Sequence, residues 1–246
     1  MSGVLKRPEF ILFDYGNTIM WEPGFDYGRG ERALFSHVVQ GERTVTFEEF
    51  SRVHDEIFAL TAKARDMDFE ISESQMLKLK LDRLGLTLDV SLEEAEEILW
   101  DTCSEGECMP GLEGLVKCLH EQGIRTAVVS NMGWSGENLR HRIDRLLPDN
   151  HFEFVLTSSD VGIRKPRPMI FEAALAMAGA AAQDVWFCGD SIRADLDGAH
   201  SAGIFPVLYE SRDVPDPWSG NESLTIAYDH LKITHWDDMT ELISSL

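Results

Sequence analysis

The chain has 246 residues, 26% of them charged and 43% hydrophobic, an ordinary globular composition. Asp and Glu outnumber Lys and Arg by 43 to 22, a formal charge of -21. Such a surface repels nucleic acid and anionic membranes, so neither is an expected partner. A site for a phosphorylated molecule must then be made locally positive by a metal, a lysine or backbone N–H groups.

No run approaches ~18 apolar residues, so no transmembrane helix is expected. The first apolar run is taken up by a strand, and no signal peptide is expected. Cys103 and Cys108 are spaced too widely for a C-x-x-C zinc pair. With Cys118 and Cys188 they read as reduced thiols of a cytoplasmic protein.

The first element is Phe10-Ile-Leu-Phe13, four apolar residues running into Asp14-Tyr-Gly-Asn-Thr18. An unbroken apolar run suits a strand buried on both faces of a parallel sheet. Asp14 then stands at its carboxyl end, where open α/β sheets bind ligands. The stretch from Trp21 to Gly28 is rich in turn formers and reads as a linker. Arg29 to Gln40 reads helical. Thr46 caps a longer helix, with Glu49 completing a capping box and Phe50, Val53, Ile57 and Leu60 at helical spacing. Ser72 or Ser74 opens another helix, carrying Met76, Leu77, Leu79, Leu81 and Leu84 and stopped by Gly85. Ser91, boxed with Glu94, opens one more that runs to about Cys103. From about 25 to 105 the pattern gives no strand, only helices.

The alternation returns after Met109-Pro-Gly111. A helix is expected from Leu112 to Gln122, a strand over Arg125 to Ser130, a helix from Ser135 to about Leu147, and a strand over Phe152 to Thr157. Then come a helix from Pro168 to Gly179, a strand over Asp184 to Asp190, a helix over Ala194 to Ala202, and a strand over Phe205 to Tyr209. Ser211 to Ser223 reads as a surface loop without recognisable chemistry; a short strand near Leu231–Thr234 precedes the closing helix. Strands alternating with helices predict an α/β fold, a Rossmann-like parallel sheet with helices on both faces. The helical block interrupts it as an inserted all-helical cap. The expected division is a core of residues 1–20 and 107–246 and a cap of residues 21–106.

Four stretches fall at or just past the ends of predicted strands: Asp14 to Thr18, Val129-Ser130-Asn131, Arg164-Lys165-Pro166, and Gly189-Asp190-Ser-Ile-Arg-Ala-Asp195. Parallel strands bring their carboxyl ends to one edge, which gathers three carboxylates, a hydroxyl and an ammonium. Uncompensated carboxylates repel one another, so the cluster calls for Mg²⁺ or a paired lysine.

In this order, and with Asp190 to Ala199 reading Gly-preceded Asp-Ser-x-x-x-Asp-x-x-Gly-Ala, the chain resembles the haloacid dehalogenase superfamily of aspartate-nucleophile hydrolases, with the helical block where that family inserts a cap of its helical type. The resemblance implies Asp14 as the nucleophile that forms an aspartyl-phosphate and Ser130 as the hydroxyl that bonds the transferring group. It implies Asn131 in the same pocket and Lys165 as the charge-balancing cation. Thr18 would fix the nucleophile loop and bind substrate, Asp190 would bind Mg²⁺, and Asp195 would hold the metal's water shell or the lysine. Asp14 and the Gly16 carbonyl would complete the metal site.

One position departs. The family's phosphatases carry Asp two residues after the nucleophile, where this chain has Gly16. That Asp is a general acid and base, whose loss costs roughly 10²–10⁴ in rate. Asn17 departs too, although it tolerates left-handed backbone. Three readings stay open. The first is a Mg²⁺-dependent phosphatase of a small phosphorylated metabolite, using leaving groups that need little protonation or an acid from Glu22, Asp26 or Tyr27. The second is a metal-independent 2-haloacid dehalogenase, or a phosphonate hydrolase with a Schiff-base lysine among Lys63, Lys78 and Lys80. Those three lysines also read as exposed helix positions. The third is a non-catalytic sensor or interaction protein on a degenerate core. Arg29, Arg32 and Arg65 are candidates for a substrate anion. Monomer and homodimer are both compatible with the pattern.

Overall fold

The computed structural model describes residues 5–214, 220–221 and 223–246. Strand β1 (Phe10–Phe13) is fully buried. Ile11 and Phe13 point into one hydrophobic cluster, while Phe10 and Leu12 point into another. A strand buried on both faces needs apolar residues at every position, which is why its sequence does not alternate.

The chain then leaves the sheet through β2 (Met20–Trp21) and builds the helical block: α1 (Tyr27–Phe35), β3 (Val38–Val39), α2 (Phe47–Asp66), α3 (Glu73–Leu84), β4 (Thr87–Leu88) and α4 (Leu92–Cys103). It returns through β5 (Glu107–Cys108), antiparallel to β2 with Trp21 opposite Glu107. The block has its own hydrophobic cluster around Leu34, Phe50, Ile57, Leu77 and Leu99. Ser72 and Ser91 make the reciprocal capping boxes expected of them. Gly85 ends α3 at φ 67, a left-handed conformation that a glycine adopts without strain.

Several expectations are corrected here. The helix expected to Gln40 stops at Phe35, because Val38–Val39 pairs with Thr87–Leu88. The block is therefore not wholly helical; two-residue strands are too short to show a period. Thr46 caps α2, but the Glu49 carboxylate turns to Arg43 (2.8 and 2.9 Å) instead of closing a box. Leu60 is 73% exposed because the packed cluster takes its last α2 member at Ile57, and Leu79 is likewise exposed.

The rest of the chain completes the sheet: α5 (Leu112–Glu121), β6 (Arg125–Ser130), α6 (Gly136–Leu146), β7 (Val155–Thr157), α7 (Ser158–Val161), α8 (Pro168–Ala178), β8 (Val185–Gly189), α9 (Gly198–Ser201), β9 (Phe205–Tyr209), β10 (Leu231–Ile233) and α10 (Trp236–Ser245). Strand β7 is shorter than expected. Its approach, through Phe152, is tied instead to Asn150 and Arg140. The helix expected over Ala194 to Ala202 begins as a π-helical run, Ile192–Asp197, before α9.

Among the described residues six strands form one parallel sheet in the order β10-β9-β8-β1-β6-β7. Helices α5, α6 and α10 cover one face, and α8 the other. From β1 the chain runs outward to one side through β6 and β7, then crosses back to β8 and the other side. The order reverses beside β1, and in open sheets such a switch point opens a crevice at the strands' carboxyl ends. Among the described residues no helix is long and apolar enough to cross a membrane.

Candidate active site

Asp14 follows the last residue of β1, in that crevice, and its N–H donates to the Cys188 carbonyl of β8 (2.8 Å). The loop behind it doubles back, with the N–H groups of Ile19 and Met20 both donating to the Tyr15 carbonyl (3.0 Å each). Asn17 takes the left-handed φ of 51 expected to be tolerable there. The buried Thr18 stands behind the loop. Its hydroxyl donates to Asp190 Oδ1 (3.4 Å), and its carbonyl accepts from the Trp236 indole N–H (2.9 Å). Thr18 does not line the cavity described below.

Lys165 comes from the segment between α7 and α8. Its ammonium is 1% exposed and meets three acceptors: Asp14 Oδ1 at 2.7 Å, Asp195 Oδ1 at 2.7 Å and the Val129 carbonyl at 2.9 Å. Asp14 and the Val129 carbonyl accept its hydrogen bonds, and Asp195 Oδ1 faces it as an ion-pair partner. Burial works to lower the Lys165 pKa, but Asp14 and Asp195 outweigh it and hold the group above its ordinary value. Burial pushes the Asp195 carboxyl up to about 6, with Lys165 pulling against it. The second Asp195 oxygen accepts from the Ser191 N–H (2.9 Å). Asp195 lies so close under the end of β8 that a Cβ on Gly189 would meet its carboxyl at 2.4 Å.

Asn131 has a different task from Ser130. Its amide grips the Lys165 backbone at two points, accepting from the N–H (2.7 Å) and donating to the carbonyl (2.8 Å). Ser130 ends β6 and, like Asn131, lines the cavity. Gly16 lies on the same wall, and a Cβ there would meet nothing within 4 Å.

Oxygens of Asp14, Asp190 and Asp195 lie within 4.8 Å of one another. Three carboxylates without a thiolate or imidazole make a hard, all-oxygen donor set, which suits Mg²⁺ rather than a softer ion. Asn221 steadies this corner: its amide donates to the Asp190 carbonyl (2.7 Å) and accepts from the Ile192 N–H (2.9 Å). The stretch Ser211 to Ser223, expected as a surface loop without recognisable chemistry, thus touches this corner through Asn221; residues 215–219 and 222 lie outside the described residues. A single asparagine in a polar stretch carries no periodic or motif signal, so the sequence offered no way to find it.

These groups line a cavity of about 340 Å³ between sheet edge and helical block. Its far wall is Glu22, Phe25, Trp100, Met132 and Trp134, with Arg164 at the side. A larger hollow, about 520 Å³, lies between α5 and the turn after α6 and is reached by none of the sheet-edge carboxylates. Of the three acids considered as substitutes at Gly16, Glu22 alone lines the cavity. Its oxygens accept from the Tyr15 hydroxyl (2.8 Å) and Arg142 (2.7 Å). Asp26 caps α1, and Tyr27 donates to Glu73 (2.7 Å) inside the block. Arg29 is spent on the carbonyls of Thr102 and Cys103, Arg32 lies over Phe47, and Arg65 pairs with Glu70 (3.3 Å). Lys63 and Lys78 are exposed, as the pattern suggested, but Lys80 is buried against Glu31 (2.9 Å) and over Phe50. Lys165 is the lysine of the cavity wall among the described residues.

Comparison with known proteins gives the same direction. A family model described as haloacid dehalogenase-like hydrolase matches residues 10–203. The chain is 26% identical over 141 residues to a ribulose-1,5-bisphosphate 5-phosphatase of Halopiger xanaduensis, covering 57% of this chain and 58% of that one. It is 31% identical over 104 residues to a glyceraldehyde 3-phosphate phosphatase of Pyrococcus abyssi, covering 42% of each. The chain spans about half the length of the curated relatives it matches. Among solved structures it shares its fold with a phosphatase from Thermococcus onnurineus (19% identity, TM-score 0.60, 95% and 97% of the two chains). It shares it equally with a 2-haloacid dehalogenase from Pseudomonas syringae (20%, 0.61, 96% and 98%).

Proposed function

Since the chain belongs to the haloacid dehalogenase-like hydrolases, we propose that it is a Mg²⁺-dependent phosphatase of a small phosphorylated metabolite, acting through an aspartyl-phosphate on Asp14. The observation that carries this reading is Lys165, bound at 2.7 Å to both Asp14 and Asp195 at the switch point, with Asp190 close enough to share a cation with them. Asp14, Asp190 and the Gly16 carbonyl would hold Mg²⁺, with Asp195 behind them. When bound, the ion supplies a Lewis acid that draws charge off the phosphoryl oxygens.

The chain's own residues do the rest. Lys165 holds one Asp14 oxygen, which fixes the carboxylate and leaves the other oxygen to attack phosphorus. Ser130 and the Lys165 ammonium meet the charge that spreads over the phosphoryl group. As the Asp14–phosphorus bond forms, the bond to the leaving oxygen breaks. Water then attacks phosphorus, the bond to Asp14 breaks, and orthophosphate leaves with the carboxylate restored. The reading extends to the domains: residues 1–20 and 107–246 make the catalytic core, and residues 21–106 a cap of the family's helical type that excludes water. The block's separate hydrophobic cluster and its return through β5 beside β2 support that division.

The competing chemistries fit less well. A metal-free dehalogenase has no use for Asp190 beside Asp195, and a Schiff-base phosphonate hydrolase needs a lysine from the block in the cavity. Phosphate release from a panel of phosphorylated metabolites tests the reading. Release is expected to require Mg²⁺, to stop with a chelator, and to fall at least 10³-fold in Asp14→Asn. Inactivity across the panel would favour the non-catalytic reading. Chloride release from a 2-haloacid in the presence of chelator would favour the dehalogenase.

A further inference from the structure

Two features of the cavity remain unused by this chemistry, and they point to one kind of leaving group. The first is that, among the described residues, the groups beside Gly16 have no free proton to give. Gly16 has no side chain. Glu22 has both oxygens engaged, by the Tyr15 hydroxyl and by Arg142. The Tyr15 hydroxyl gives its proton to Glu22 and accepts from Arg142 Nε (3.1 Å), so it has none to lend. An alkoxide leaves with a conjugate-acid pKa near that of water, ~15.7, and so needs a proton. A phenolate, with a pKa of about 10, can leave without one.

The second feature is the wall the leaving group meets. Trp100 and Trp134 stack in parallel, 5.2 Å between centroids and 5° between planes. Tyr15 meets Trp100 edge-on at 5.9 Å, and Arg142 lies over its ring at 4.7 Å. Phe25, 47% exposed, stands at the rim. The cations of this cavity are committed: Lys165 to Asp14 and Asp195, Arg164 to Glu70. Trp100 is 3% exposed, held between Trp134 and Arg142, so the apolar surface open to a flat ring is that of Phe25 and Trp134.

We propose that the substrate is the phosphate monoester of a flat aromatic hydroxyl, its ring against Phe25 and Trp134 and its oxygen departing unprotonated. This rests on the phosphatase reading and deepens it. In the first step the Asp14–phosphorus bond forms and the phosphorus–aryl oxygen bond breaks. The electron pair stays on the aryl oxygen, which takes its proton from bulk water after release.

The test compares kcat/KM for substituted phenyl phosphates and for ethyl phosphate with Mg²⁺ present. Phenyl phosphate is expected to exceed ethyl phosphate by at least about 100-fold, with a steep dependence on leaving-group pKa. Gly16→Asp, which the open space at Gly16 admits, is expected to flatten that dependence by raising the ethyl phosphate rate. A readout without turnover is binding of phenylphosphonate against methylphosphonate by calorimetry. Phenylphosphonate is expected to bind about tenfold tighter, an advantage lost in Phe25→Ala and in Trp134→Ala. Equal rates for the two esters, or equal affinities for the two phosphonates, overturn the inference and leave the phosphatase reading standing. Phosphate release from none of the esters overturns both.

Discussion

Lys165 shows at the scale of one residue how charge is kept in a dry place. Its ammonium is buried, yet it donates to Asp14 and to a backbone carbonyl and has a second anion, Asp195, at 2.7 Å. Removing one partner from such a cluster leaves charge that nothing offsets, at a cost of about 3–5 kcal/mol. Lys165→Met is expected to lower the unfolding free energy in urea by about that amount and to abolish phosphate release. A variant as stable as the parent would mean that Asp14 and Asp195 find another counter-charge. Asp14, Lys165, Asp190 and Asp195 were legible from the sequence because each follows an apolar strand or sits in a spaced motif. The clamp roles of Asn131 and Asn221 were not. An asparagine amide bonds whatever the fold brings to it, and its partners here lie 34 and 31 positions away.

At the scale of elements, the helix caps and the strands buried on both faces were readable because they are local or periodic. Ribbons of two residues and the π-helical start of Ile192–Asp197 were not, since neither has a period. Nor was the polar contact set among the apolar positions of α2, where His54 stacks on Tyr27 at 4.4 Å and shares a hydrogen bond with its hydroxyl (3.1 Å). Burial, and Lys80 close by, pull the His54 pKa down from 6.5 to about 4. The folded imidazole thus stays neutral where the unfolded one takes up a proton. His54 therefore contributes stability above pH 6.5 that is lost as pH falls toward 4. Thermal melts from pH 7 to 5 are expected to drop further in the parent than in His54→Gln, by about 2–4 °C. Parallel slopes for the two proteins would assign the acid sensitivity elsewhere.

At the scale of the whole molecule, a charge of -21 sits on one compact fold. Repulsion among like charges weakens the folded state, and salt screens it, the Debye length shrinking from about 30 Å at 0.01 M to about 8 Å at 0.15 M. Raising NaCl across that range, with chelator present, is expected to raise the melting temperature by a few degrees. A fall would mean that the ion pairs of the seam between block and sheet, such as Arg142 with Glu22 and Asp101, outweigh the repulsion. That seam is largely polar: Glu96 takes bonds from Ser135 and Asn138, and Glu73 donates its N–H to the Gly133 carbonyl. The pairing of Trp21 with Glu107 gives it a topological meaning. Some eighty-five residues depart and come home at a single doorway, so the thread through the sheet is the same whether they are there or not. Whatever hangs at that doorway can be exchanged for a piece of another shape without rewiring the sheet edge that carries the carboxylates.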